Sequence, residues 1–296
     1  MSARRLDRLG IAVALITCGG LGIQQVAVKL GLADFSGLTQ AALRSAGAIL
    51  PIGIWLWVSD RKAFSRDGTF WPGMAAGLFF GAQFIALYLA LELTTSSRAA
   101  TFLYTHPFWT ALGLVIVLPQ ERLRPLQWIG MGLSFIGVAI ALGVSPASSA
   151  QMFKGDLLAL AAGLMWALAT LVIKATRLRS VASSKVLLYQ LLVSAPMLGL
   201  AAFLRGEALP QHPSVMGIGS LVYQTLFSVV ICFSLWFWLL GRYRAGEITA
   251  FSVITPVFGV IAGAVILHEQ VAVSFAAAVA LVAAGILLVN WPQRQT

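Results

Sequence analysis

The sequence predicts an all-α polytopic membrane protein with ten transmembrane helices in two inverted five-helix repeats. Three observations predict it: an apolar composition, apolar runs of membrane-spanning length, and basic residues confined largely to alternate loops. Of 296 residues, 59% are hydrophobic and 10% charged, and the mean hydropathy is +0.89. Such a chain has too little polar surface for a soluble domain, so the bilayer is its main solvent. A helix needs about 20 apolar residues to cross the roughly 30 Å hydrocarbon core, which leaves room for about ten spans and short loops.

The apolar runs fall at 9–31, 37–58, 70–92, 97–118, 125–145, 156–175, 185–204, 215–240, 247–268 and 271–291. The first follows Arg4, Arg5 and Arg8 and so mimics a signal peptide. It continues to Leu32 without a cleavage site, and Thr17 before Cys18 is a poor lipoprotein signal, so it reads as a retained span. Only His268, Glu269 and Gln270 separate the last two runs. Fusing them would leave nine spans and place the C-terminus outside; charge decides against that.

With the N-terminus inside, all of the 20 basic residues except Lys29, Arg44, Arg98, Lys154 and Arg205 fall in cytoplasmic segments. That bias runs from end to end and predicts both termini cytoplasmic. The net charge of +10 therefore belongs to loops at a membrane surface and implies no nucleic-acid partner. Cys18 and Cys232 each lie in an apolar run, so no disulfide, metal site or cofactor is expected.

Internal repetition is the second organising signal. The segment from Ser97 to Phe108 lies over that from Gly246 to Val257, which brings Phe102 onto Phe251 and Pro107 onto Pro256. With one gap Glu121 meets Glu269, and Lys29 and Lys174 each end an opening apolar run. The repeats are 1–148 and 149–296. Five is an odd number of spans, so the second copy enters from the opposite side, with Lys29 facing out and Lys174 in.

These residues resemble the drug/metabolite transporter superfamily, in particular its ten-helix EamA-type exporters, over essentially the whole chain. The matching features are the proline-bearing fourth and ninth spans with a Glu beyond each, Gly130 to Gly137 in the fifth, and Trp166 with Lys174 in the sixth. Within that branch the chain looks most like bacterial amino-acid exporters, including those for aromatic amino acids. The resemblance implies a multi-pass protein of the bacterial inner membrane, with a central cavity between the halves and a small-molecule substrate. His106 departs from the family's usual apolar or small polar residue, so substrate identity does not follow from the resemblance.

Several residues are candidates for that cavity. Pro107 and Pro256 lack an amide donor and clash with the carbonyls of Leu103 and Ser252, so each span should kink and free a carbonyl for a hinge or a substrate. Neighbouring groups can also re-satisfy such backbone without any function. Gln24, Gln25, Gln83, Gln190 and Gln224 lie inside spans, where an unpaired amide is costly; each faces either a packed helix or a wet cavity. Gln24 and Gln83 are the preferred cavity residues. Tyr88, Tyr104, Trp109, Trp166 and Tyr223 lie deep and either wall a cavity suited to an apolar side chain or pack the core. His106 either binds a substrate carboxylate and titrates, or packs.

Trp55, Trp57, Trp71, Trp128 and Trp291, near span ends, read as interfacial anchors. Arg44 is expected to snorkel to the outer interface. Gly73, Gly77 and Gly81, and again Gly259 and Gly263, predict close helix packing, sliding during gating, or a dimer contact. No convincing carboxylate occupies the midplane, which favours gradient-driven export over a carboxylate proton relay.

An intramembrane enzyme would need a nucleophile with its base, paired aspartates or a histidine-rich metal site, and none is found. A non-transporting subunit or lipid-handling protein is the other alternative. The sequence therefore predicts a secondary transporter exporting amino acids or related metabolites by alternating access. Its oligomeric state is open, a monomer being admissible.

Overall fold

The computed structural model describes residues 7–59, 67–117, 125–143, 150–243 and 254–289. Twelve α-helices lie among the described residues: α1 Arg8–Gly31, α2 Gly37–Ser59, α3 Phe70–Leu93, α4 Ser96–Leu103, α5 His106–Val117 and α6 Pro125–Gly143, then α7 Ala150–Ala175, α8 Ser183–Leu204, α9 Val215–Val222, α10 Phe233–Arg242, α11 Ile254–Ile266 and α12 Val273–Val289. A short 3-10 turn, Arg177–Ser180, precedes α8, and a π-helical stretch, Tyr223–Cys232, joins α9 to α10. Among the described residues seven segments are long and apolar enough to cross a membrane, counting α4 with α5 and α9 with the π stretch. The three shorter apolar helices, α6, α11 and α12, adjoin undescribed residues.

Local chemistry sets the boundaries. The Asp7 carboxylate accepts from the Gly10 amide at 2.8 Å and opens α1; Thr95 and Ser214 do the same for α4 and α9 through the amides of Arg98 and Gly217. α11 ends where His268 takes a left-handed φ of 54° and the Glu269 amide turns back onto the Gly263 carbonyl. The π stretch has no counterpart in the sequence expectations, because an i to i+5 ladder leaves the apolar pattern almost unchanged.

α3 packs mainly against α7 and α8, α2 against α8, α1 against α11, and α6 against α12. Small residues permit the closest approaches. A Cβ on Gly22 would lie 2.6 Å from the Thr255 carbonyl oxygen, so only glycine lets α1 reach the backbone of α11 there. Gly73, Gly77 and Gly81 seat Tyr189, Val193 and Met197 of α8 in the same chain, the close-packing alternative of the three expected. Large apolar side chains remain exposed around the outside, among them Trp55, Trp57, Trp71 and Trp128, as the anchor expectation requires. Trp291, Glu121, Glu247, Phe251 and Ser252 lie outside the described residues.

α7 begins where α3 ends: Gly155 lies against Leu93 and Thr94, while the Glu92 carboxylate accepts from the Gly37 amide at the start of α2. The ends of α1, α3 and α8 and the starts of α2, α4, α7 and α9 therefore share one face of the bundle.

Candidate functional site

Carboxylates hold that face together. Glu269, beyond α11, accepts from the amide and hydroxyl of Ser96 at 2.7 and 2.9 Å and from those of Ser97 at 3.0 and 2.5 Å, crowning the start of α4. Glu207 accepts from the amide and hydroxyl of Thr39 at 2.9 and 3.1 Å. Asp34 accepts from the amide and hydroxyl of Ser214 at 2.9 and 2.5 Å, and these bonds hold its carboxyl below the usual range. Each places a negative charge on the positive end of a helix and ties residues before 144 to residues after 149. Arg205 bridges Glu92 at 3.2 Å and Glu207 at 3.5 Å.

Slightly deeper lies a buried ion pair that the sequence reading missed. Arg98 meets Asp156 through Nε at 3.0 and 3.1 Å and Nη2 at 2.5 Å, and Nη2 also donates to the Ala141 carbonyl. Thr94 donates to the same carboxylate at 2.7 Å. Asp156 is fully buried. An acidic residue at the head of one apolar run and a basic residue at the head of another were the available signals, but their partnership spans 58 residues of sequence.

Next comes an amide network. Tyr88 donates to Gln224 Oε1 at 2.6 Å, and Gln224 Nε2 donates to Gln40 Oε1 and Ser220 Oγ, both at 2.9 Å. Gln40 Nε2 donates to the Phe35 carbonyl at 3.1 Å, and Ser220 donates to the Ala27 carbonyl. Gln40 was no candidate, and the Tyr88 hydroxyl, expected to line a cavity, is engaged in this cross-link. Arg44 corrects the snorkelling expectation. It is fully buried, with Cζ 3.8 Å from the centre of the Phe84 ring and 5.9 Å from that of Tyr88. Packing of α2 against α3 and α8 decides this, since it closes the route to the interface.

At mid-depth the chain breaks as Pro107 predicts. α4 ends at Leu103, Tyr104 and Thr105 turn, and α5 restarts at His106 with Pro107 in its first turn, where a missing amide costs little. Gly163 lets α7 approach the freed end: a Cβ there would lie 2.9 Å from the Leu103 carbonyl oxygen and 3.0 Å from that of Phe102. The imidazole of His106 stacks on Trp166 with centroids 3.8 Å apart and planes 20° apart, and Tyr104 meets Trp166 edge-on at 5.7 Å. His106 Nδ1 is buried and carries no hydrogen bond, as is Gln83 Oε1. Pro256 is buried in the first turn of α11; the carbonyl it should free, that of Ser252, lies outside the described residues.

The structure thus joins Tyr104, His106 and Trp166 in one cluster and gives the other candidates different partners or surroundings. Trp109 donates to Thr105 Oγ1 at 3.3 Å. Tyr223 donates to the Gly20 carbonyl at 2.9 Å and stacks on Phe227. Gln24 and Gln83 are buried on α1 and α3.

The opposite face is held differently. Lys185 pairs with Asp67 at 2.7 Å, and Tyr243 donates to Asp7 at 2.7 Å. The Lys185 ammonium and the Thr69 hydroxyl hold the Asp67 carboxyl well below its ordinary value, at about 2. A carboxyl lowered on folding stabilises above its unfolded pKa and loses that contribution as pH falls through the folded one. The stability difference between wild type and Lys185→Gln is therefore expected to stay constant from pH 7 to about 4 and to shrink towards pH 2, read by thermal unfolding. A difference that changes between pH 7 and 5 would show that another group governs it.

A helical bundle with a largely apolar outer surface, and with amides, two arginines and an imidazole turned into its interior, defines a polytopic membrane protein. The chain belongs to the EamA-like transporter family, which it matches over residues 8–143 and again over 153–291. It is 27% identical to a probable amino-acid metabolite efflux pump of Salmonella typhimurium, over 93% of each chain. It is 30% identical to the uncharacterized transporter YdeK of Bacillus subtilis, over 83% of this chain and 84% of that one. A solved crystal structure covering 96% of each chain superposes with a TM-score of 0.66 at 20% identity and shows the same fold. The protein is a transporter and not an enzyme.

Proposed function

We propose that this transporter exports amino acids or related small metabolites across a bacterial inner membrane, by alternating access of two inverted five-helix halves that make ten spans. The observation that carries the reading is the Tyr104–His106–Trp166 cluster at the mid-depth break between α4 and α5, against α7. It offers an aromatic wall, an unpaired imidazole nitrogen and a discontinuous helix where the two matched stretches meet. The double family match supports the repeat boundaries of 1–148 and 149–296, and the start of α7 on the face where α1 ends supports their inversion. Two relatives named as probable amino-acid metabolite efflux pumps support the substrate class.

The carboxylate bonds from Asp34, Glu207 and Glu269 join the halves on the face that the basic-residue bias assigns to the outside. In this reading they form the outer gate, closed here, and Pro107 and Pro256 act as hinges. The test is counterflow of labelled amino acids in proteoliposomes, with and without a pH gradient. Saturable flux is expected, reduced about ten-fold or more in Trp166→Ala and His106→Ala through loss of the stacked pair. Absence of flux for every amino acid would overturn the substrate class, and full activity of both variants would move the cavity elsewhere.

A further inference from the structure

Among the described residues two arginines are buried, and they differ in how far their donors are used. Arg98 has a fork-to-fork carboxylate in Asp156 and a backbone carbonyl besides. Arg44 has no carboxylate within ion-pair distance among the described residues, and its Nε and Nη1 carry no hydrogen bond. Only Nη2 is engaged, by Ser45 Oγ at 3.3 Å. A guanidinium keeps its proton at any working pH, so a full positive charge sits in the bundle with two nitrogens unspent. Cation–π contact with Phe84 covers one face of the group and leaves the edge donors free.

The surroundings say what kind of group would use them. Phe80, Phe84 and Tyr88 form a ladder along α3, with successive centroids 4.8 and 6.2 Å apart, and Arg44 lies over its middle ring. A planar anion would find charge-assisted donors at the arginine and an apolar wall beside it. One turn above Arg44 on α2, the Gln40 amide is tied to Gln224, which also holds Tyr88. That cross-link lies on the side of the carboxylate-bound face and joins α2 and α3 to the π stretch, so parting it would uncover the guanidinium.

We propose that Arg44 is the anion-recognising group of the transport path, taking the carboxylate of a small substrate when the Gln40–Gln224–Tyr88 cross-link parts. This rests on the exporter reading and adds to it a chemical requirement: the substrate must carry a carboxylate, which Arg44 holds on the outer side of the Tyr104–His106–Trp166 cluster.

The experiment compares phenylalanine, leucine and threonine with their carboxamides, as ligands in thermal unfolding of the purified protein and as competitors in counterflow. Potassium chloride at matched ionic strength is the control. The acids are expected to raise the unfolding temperature of wild type and the amides to leave it unchanged; Arg44→Gln should weaken the apparent affinity for the acids about ten-fold or more, and Arg44→Lys should weaken it less. Amides as effective as acids, no stabilisation of wild type by any acid, or wild-type affinity in Arg44→Gln would each overturn the proposal. Should Arg44→Gln fail to fold, the acid and amide comparison on wild type and the Arg44→Lys affinity decide. Amino-acid flux at unchanged affinity in Arg44→Gln would remove Arg44 from the path and leave the exporter reading standing. Carboxylate-dependent stabilisation without amino-acid flux would do the reverse.

Discussion

Asp156→Ala is expected to destabilise the protein by about 3–5 kcal/mol, the cost of leaving a buried charge without its partner. The substitution strips Arg98 of three close contacts to the carboxylate and leaves Thr94 without its acceptor, in a site closed to water. Arg98→Met with Asp156→Leu removes both charges at similar volume and should cost far less, because buried pairs replaced by packed apolar groups are often near neutral. Denaturant unfolding of the purified protein in detergent measures both. A single substitution as mild as the double one would mean that water reaches Arg98 and that the pair is not a buried anchor.

Removing Glu269 tests a different link, the one between α4 and the turn after α11. Glu269→Ala deletes two bonds to backbone amides and two to serine hydroxyls, and leaves the positive end of α4 bare. Hydrogen bonds to a charged acceptor are worth about 1.5–3 kcal/mol each, and water at the face will replace part of that. A net bias of about 1.4 kcal/mol toward an open face would raise its population ten-fold. Cys18 and Cys232 are fully buried at mid-depth and report on such opening. Their alkylation by a small impermeant reagent applied at the Glu269 face should accelerate about ten-fold in the variant. Equal rates would reduce Glu269 to a helix cap with no share in gating.

The sequence readings that hold share a physical basis. Hydropathy, proline geometry and glycine spacing are properties of a single segment, so the described parts of the apolar runs are largely helical, Pro107 marks the break between α4 and α5, and Gly73, Gly77 and Gly81 line a packed seam. The aromatic cluster was half legible. Tyr104, His106 and Trp166 were each chosen for depth and chemistry, but nothing local says that His106 stacks on Trp166, which lies on another helix.

Arg44 and Gln40 show why the rest was hidden. Whether an arginine near a span end snorkels or turns inward depends on which helix covers it, and here α3 supplies Phe84 and Tyr88 to receive it. Gln40 finds its partner 184 residues away, in a stretch whose π winding the apolar pattern does not reveal. Sequence alone thus determined that this protein lives in a bilayer, roughly where its apolar segments run, and where one of them bends, because each follows from transfer free energies and backbone sterics acting within about 20 residues. Only the tertiary structure decided which buried polar groups are satisfied and which are left over, since pairing depends on distances between helices that the chain order does not set. By that decision Arg98 has its carboxylate, and Arg44 has none among the described residues.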